Sequence, residues 1–323
     1  MKKVLITGAN GQVGNEMTAR LRKDLGRDNV IATDLKIKEG SANATEGIFE
    51  ELDVSDAKRF RELAHKYQVD AIIHLASLLS VSSEKDPVFA WQLNTGSIIN
   101  GLEIAKELKA QFFFPSSVAA YGVDAMPRFN TPQDTFMHPI TVYGASKYAG
   151  EMLANYYHWK HGVDARSVRF GRLVSYKVRP GQGATDYAVA IYFDAVLKSS
   201  YECYLRPDTM LDFTYVDDAI DQVVKFLNTP ASQLKHFNGF NLTTFYATPE
   251  DIANSIKKIM PDFKITYKLD PVRQEIADSW PQHMDDSWAR EEWGLNPKIG
   301  LDEMTEIMLT NLKIKLKAEG EIK

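Results

Sequence analysis

The chain has a single cysteine, Cys203, in 323 residues. That excludes an intramolecular disulfide and any thiolate-rich zinc site. It has no excess of basic charge: the formal net charge is −5, which gives no reason to expect nucleic acid or an anionic membrane as partner. Long apolar runs are also missing. Met1-Lys-Lys-Val-Leu-Ile6 opens like the charged region of a secretion signal, but its apolar stretch stops at Thr7-Gly8, too short for a signal core or a membrane span. There is no internal repeat, no low-complexity tract and no histidine–carboxylate array suited to a metal. What is present is ordinary for a soluble globular protein, with 44% hydrophobic and 25% charged residues. The length allows one large or two modest domains with a sizeable core. These features together point to a cytoplasmic protein.

The N-terminal half carries the chemistry. Val4-Leu5-Ile6 is a short apolar run ending in Thr7-Gly8-Ala9-Asn10-Gly11-Gln12-Val13-Gly14, after which Val13, Met17, Leu21 and Leu25 recur at helical spacing. Strand, glycine loop and helix in this order suit a dinucleotide. Gly8 allows the tight turn, Gly11 the approach of backbone to a pyrophosphate, and Gly14 close packing of helix on strand. The free N–H groups of the helix start would hold the anion. The spacing is G-x-x-G-x-x-G, and Asn10, Gln12 and Val13 fall within the same binding loop. Val30-Ile-Ala-Thr-Asp34 then ends in an acid twenty positions after Gly14, where a carboxylate takes the adenosine ribose and favours NAD. Lys36 stands close enough to tolerate a 2′-phosphate instead.

Glu50-Glu-Leu-Asp53-Val54 reads as a third short strand, Ala57 to Tyr67 as a helix, and Ala71-Ile-Ile-His-Leu-Ala76 as a strand buried on both faces. His74 within it reads as a packed strand histidine. Asn94 to Leu108 is helical in period, and Gln111-Phe-Phe-Phe114 is the next strand. The succession predicts an α/β fold, a Rossmann-type doubly wound parallel sheet with its ligand at the carboxyl ends of the strands. Ser116 and Ser117 follow Phe114-Pro115 and belong at that edge. Further on, Tyr143 and Lys147 stand four apart, on one face of a helix. A cation beside a phenol stabilises the phenolate, giving a base for a substrate alcohol.

Thr7-Gly-x-x-Gly-x-x-Gly14, Asp53-Val54, His74-Leu-Ala76, Asn94, Ser117-x-x-x-Tyr121-Gly122 and Tyr143-x-x-x-Lys147 resemble, in type and order, the motifs of the extended short-chain dehydrogenase/reductases. The resemblance covers at least residues 1–175. It implies that Asp53 and Val54 flank the adenine, that Leu75 and Ala76 line the cofactor, and that Asn94 braces the site. Ser117, Tyr143 and Lys147 would be the catalytic set, with Ser116 assisting, and Tyr143 and Lys147 would also meet the cofactor. It further implies a homodimer built on the helices that begin near Asn94 and Tyr143.

Two later stretches bear on the substrate. Ser175 to Val189 and Arg273-Gln-Glu-Ile-Ala-Asp-Ser-Trp-Pro281, followed by Asp285-Asp-Ser287 and Trp293-Gly294, resemble short-chain L-threonine 3-dehydrogenases. That implies oxidation of the L-threonine hydroxyl to 2-amino-3-oxobutanoate, without a metal, with Ser80 and Thr185 contacting the amino acid. The alternative for either hydroxyl is a loop cap. Trp280 and Trp293 also read as core anchors, and Arg273 as a partner for Asp278. Two segments depart from the threonine pattern: Phe170-Gly-Arg172 replaces Tyr-Pro-Gly, and Leu211-Asp-Phe-Thr-Tyr-Val-Asp-Asp218 is closer to the sugar-modifying relatives. The alternatives are a nucleotide-sugar epimerase or dehydratase with tightly bound NAD, and an NAD-binding redox sensor. The cofactor domain is expected over 1–170 with a return near 211–228. A smaller mixed α/β substrate-binding domain is expected over 171–210 and 229–323, its charged Lys313-to-Lys323 end being a solvated helix terminus.

Overall fold

A computed structural model describes residues 1–181 and 183–322. Its twelve strands are β1 (Val4–Thr7), β2 (Val30–Asp34), β3 (Phe49–Glu51), β4 (Ala71–His74), β5 (Gln111–Ser117), β6 (Ala165–Phe170), β7 (Arg172–Val174), β8 (Ser200–Cys203), β9 (Leu211–Tyr215), β10 (Phe240–Leu242), β11 (Phe245–Ala247) and β12 (Lys264–Tyr267). Seven form one sheet in the order β10-β6-β5-β4-β1-β2-β3, every pair parallel. Strands β1, β4 and β6 are buried along their whole length, as a parallel sheet covered by helices on both faces requires. The chain winds outward from β1 through β2 and β3, then restarts at β4 on the other side of β1. The direction of winding therefore switches between β1 and β4, and a crevice opens at their carboxyl ends.

Several boundaries differ from the sequence reading: β4 ends at His74, not Ala76, and the helix read from Asn94 begins at Pro87. Strand β3 stops at Glu51, because after Leu52 N–H donates to Asp34 C=O the chain turns away; Asp53 and Val54 lie beyond it. Strand β5 runs on to Ser117 through Pro115. A proline is tolerated there because β4 pairs only as far as Phe113, leaving one side of β5 without a neighbour. The charged end closes a helix, Leu301–Ala318, as read, but that end is only partly solvated: Leu312 and Leu316 are buried while Ile314 is exposed.

After β6 the chain alternates between two bodies. Strand β9 pairs with β7 and β11 in a three-stranded sheet, while the helix that follows it, Val216–Asn228, packs on the Gln12–Leu25 helix of the large sheet, sharing a core with Met17 and Leu21. Strand β10, in the range read as substrate-binding, instead adds to the edge of the large sheet against β6. A second core gathers Tyr187, Tyr192, Phe213, Ile252 and Met308 beneath the smaller lobe. Trp280 and Trp293 are both buried. None of the described helices is long and apolar enough to cross a membrane.

The helix Val142–His161 matters most to function. Thr141 caps it, its hydroxyl accepting from Gly144 N–H at 3.1 Å, and Gly162 closes it in the left-handed conformation. Tyr143, Lys147 and Glu151 follow one another at intervals of four along one face.

Candidate active site

At the switch point lies a cavity of about 520 Å³, lined by Gly8, Gly11, Asp34, Asp53, Leu75 and Ala76 among others. Asn10 and Val54 also reach it. Its floor is the glycine loop. Gly8 has φ +68°, and a Cβ there would stand 2.7 Å from Ala76 N; a Cβ on Gly14 would lie 2.1 Å from Gly8 O. Neither position admits a side chain, so the loop packs tightly on Ala76 and on the first turn of the Gln12–Leu25 helix, whose free N–H groups suit an anion. Asp34 closes the far end, Oδ2 accepting from Asn10 N–H at 2.8 Å and Oδ1 from Leu35 N–H at 2.8 Å. That leaves carboxylate lone pairs for ribose hydroxyls. The anion-accepting helix start, the acid twenty positions on and the mainly apolar walls together fit a dinucleotide.

A smaller cavity of about 180 Å³ adjoins it, and its wall brings together Ser80, Ser117, Tyr143, Arg172, Thr185 and Asp186. These residues come from the start of the Ser80–Lys85 helix, the end of β5, the start of the Val142–His161 helix, the start of β7 and the turn before the Tyr187–Lys198 helix. Lys147 stands behind Tyr143. Its Nζ donates to Pro115 C=O at 2.8 Å and lies 5.4 Å from the centroid of the Tyr143 ring. Burial pushes the Lys147 ammonium down to about 8. Burial also pushes the Tyr143 phenol up to about 12, eased first by a hydrogen bond from Ser117 and then by the charge of Arg172. Lys147 spends one of its three N–H donors on that carbonyl and keeps its cation beside the Tyr143 ring.

Several residues singled out in the sequence stand elsewhere. Ser116 is turned away from the cavity: its hydroxyl donates to Glu151 Oε1 at 2.5 Å. Alternation along β5 sends neighbouring side chains to opposite faces, so Ser116 and Ser117 cannot both meet a substrate. Asn94 lines neither cavity. It receives Leu78 N–H at 2.8 Å and donates to Leu78 C=O at 3.1 Å and to Ser146 Oγ at 3.2 Å, tying the loop after β4 to the helix of Tyr143. Gln12 donates to Leu173 C=O at 3.4 Å, and Val13 packs into the core. His74 is a buried strand residue held between Thr7 Oγ1 and Ser97 Oγ, each at 2.9 Å. Burial drives its imidazole down to about 3, so it stays neutral. Arg273 is 3.5 Å from Asp270, while Asp278 is held by Arg206 at 2.8 Å. Among the described residues no group of three or more His, Cys, Asp or Glu could hold a metal.

Two ion pairs were missed by sequence reasoning. Glu151 and Arg169 form a buried pair, Oε1–Nε at 2.9 Å and Oε2–Nη2 at 2.7 Å; the signal was Glu151 one helical turn beyond Lys147. Arg172 Nη2 meets Asp186 Oδ1 at 2.7 Å, and its signal was a cation directly after Gly171.

A family model described as the NAD-dependent epimerase/dehydratase family matches residues 4–239. The chain belongs to that family. It is 46% identical over 319 residues, 99% of either chain, to an uncharacterized epimerase/dehydratase of Staphylococcus saprophyticus. Among solved structures it is similar to an L-threonine dehydrogenase from Clostridium difficile, 52% identical with a TM-score of 0.95 over 98% of each chain. It is also similar to the holo form of a GalE-like L-threonine dehydrogenase from Cupriavidus necator, 41% identical with a TM-score of 0.92 over 96% of this chain and 99% of that one. A nucleoside-diphosphate-sugar epimerase from Agrobacterium tumefaciens, 18% identical with a TM-score of 0.84, shares the fold. This epimerase/dehydratase-family member is thus an NAD-dependent enzyme of the dehydrogenase or epimerase type, with the Rossmann-like sheet of the threonine dehydrogenases.

Proposed function

We propose that the enzyme oxidises the hydroxyl of L-threonine to 2-amino-3-oxobutanoate with NAD. The observation that carries this reading is the 180 Å³ cavity in which Ser80, Ser117, Tyr143 and Thr185 converge. It is smaller than the ~300–1,000 Å³ of clefts that take drug-sized ligands, which favours an amino acid over a nucleotide sugar. The 52% identity to a protein named as an L-threonine dehydrogenase supports the same choice.

Bound NAD supplies the hydride acceptor. Tyr143, as phenolate, takes the hydroxyl proton while the Cβ–H bond breaks and its electron pair leaves as hydride. Ser117 has one O–H, which it turns from the phenol to the reacting oxygen, fixing the alcohol's orientation as the carbonyl forms. Lys147, anchored on Pro115, supports the phenol from behind. Ser80 and Thr185 offer short hydroxyls that satisfy a carboxylate or an ammonium without adding charge.

Stoichiometry tests the assignment. NADH should accumulate when L-threonine is added, and UDP-sugars should be neither oxidised nor epimerised. Tyr143→Phe should lower kcat by about 10²–10⁴-fold with NAD affinity nearly unchanged. Epimerisation of a UDP-sugar without net NADH, or near-normal turnover by Tyr143→Phe, would exclude the mechanism.

A further inference from the structure

Among the described residues around the small cavity, Arg172 is the one cation and Asp186 the one anion. The other cations near this end of the chain are engaged elsewhere: Lys147 on Pro115 C=O, Lys177 on Glu16 and Asp217, and Arg179 on Glu319 and Glu321. Arg172 is only partly engaged. Arg–carboxylate pairs commonly use two parallel N–H···O bonds; here the nearest approach of Asp186 is Oδ1 to Nη2 at 2.7 Å. The second oxygen of Asp186 accepts from Gly183 N–H at 2.8 Å. Arg172 Nε–H is buried and has no hydrogen-bond partner among the described residues. A buried donor left unmet is costly, and here it belongs to a guanidinium on the wall that also holds Ser117 and Tyr143.

We infer that Arg172 is a specificity-determining residue: its guanidinium, braced by Asp186, accepts the carboxylate of the substrate and so selects small zwitterionic β-hydroxy acids. This rests on the proposed activity for the identity of the alcohol, and it adds what holds the acid end. A carboxylate on Arg172 is anchored on the wall that carries Tyr143, so the hydroxyl-bearing Cβ, two bonds from the carboxyl carbon, can be presented to the phenol and Ser117. The adjacent Asp186 keeps the wall near neutral overall and matches the positive end of the same molecule. Arg172 also bears on Tyr143 through its charge. A substrate carboxylate on the guanidinium weakens that influence, which ties binding at one end of the substrate to proton affinity at the other.

The test is isothermal titration of L-threonine and of L-threoninamide into the NADH-loaded protein, comparing wild type with Arg172→Met and Arg172→Lys. Arg172→Met should weaken L-threonine by on the order of 10–100-fold, the range for a charged hydrogen bond, and leave the amide within about threefold. Arg172→Lys should recover part of the loss, because it restores the charge without the planar fork. Equal weakening of acid and amide, or no change in either, overturns the inference. A separate NADH assay keeps the two claims apart. No turnover of L-threonine by wild type would defeat the proposed activity but not an acid-selective binding loss in Arg172→Met.

Discussion

Replacing Glu151 by glutamine is the sharpest test of how the proton-transfer helix is held. Glu151 is 1% exposed and Arg169 6%, so their pair has almost no water to fall back on. The carboxylate takes Arg169 Nε and Nη2 and the Ser116 hydroxyl. Arg169 Nη1 is occupied by Tyr121 Oη at 3.0 Å and Gln133 C=O at 2.8 Å. The neutral amide offers one oxygen where two served, and it points an N–H₂ group at a guanidinium that cannot lose its proton. Removing one partner of a buried pair costs about 3–5 kcal/mol, against a total stability of roughly 5–15 kcal/mol. The expected result is a melting temperature lower by on the order of 10 °C and a matching fall in the denaturant midpoint. Because Tyr143 shares the helix face, kcat should fall as well, by up to about 100-fold for a displacement near 1 Å. Replacing both partners, Glu151→Leu with Arg169→Met, should cost less than Glu151→Gln alone, since no charge is then stranded. A single change costing less than about 1 kcal/mol, or a double change costing more than the single one, would refute the account.

Two further outcomes follow from the site. Asp34→Ser removes the carboxylate that meets Asn10 and faces the ribose end of the cavity, while Lys36 remains; the ratio of kcat/KM for NAD over NADP should fall by on the order of 10–100-fold, and an unchanged ratio would remove Asp34 from cofactor selection. Tyr143 is held up to about 12 by burial, and the phenolate is the reactive form. Its fraction therefore grows about tenfold per pH unit below the pKa. Initial rates of NADH formation should rise with pH on the acid side and lose that slope in Tyr143→Phe; a flat or falling profile between about pH 6 and 8 would contradict the assignment.

Much of this was legible in the sequence because the relevant signals are local. A strand, three glycines and a helix are contiguous, and the cavity forms where they meet. Ser117 and Tyr143 come together because each stands at the carboxyl-end edge of the sheet, a place that topology dictates once the parallel order is known. The differences have other causes. Ser116 and Ser117 are neighbours in sequence, but a strand that runs on to Ser117 turns them to opposite faces. Arg273 was given to Asp278 by nearness in the chain, whereas Arg206, seventy-two positions away, holds that acid. Strand β10 joins the large sheet from far down the chain, and no local signal distinguishes a three-residue edge strand of one sheet from that of another. The Arg169–Glu151 pair and the half-used guanidinium of Arg172 depend on contacts between segments, so their meaning appeared only with the fold.

The loop after β4 has a consequence of its own. Leu75 to Leu78 form part of the wall of the large cavity, and Leu79 and Ser80 form part of the small one; Asn94 grips the chain at Leu78, between the two. One short stretch of backbone is thus a party wall. An occupant on either side that settles this wall leaves less of it to be ordered by the occupant on the other. Free energy passed through such a partition is reciprocal: whatever factor the first guest adds to the hold on the second, the second returns to the first.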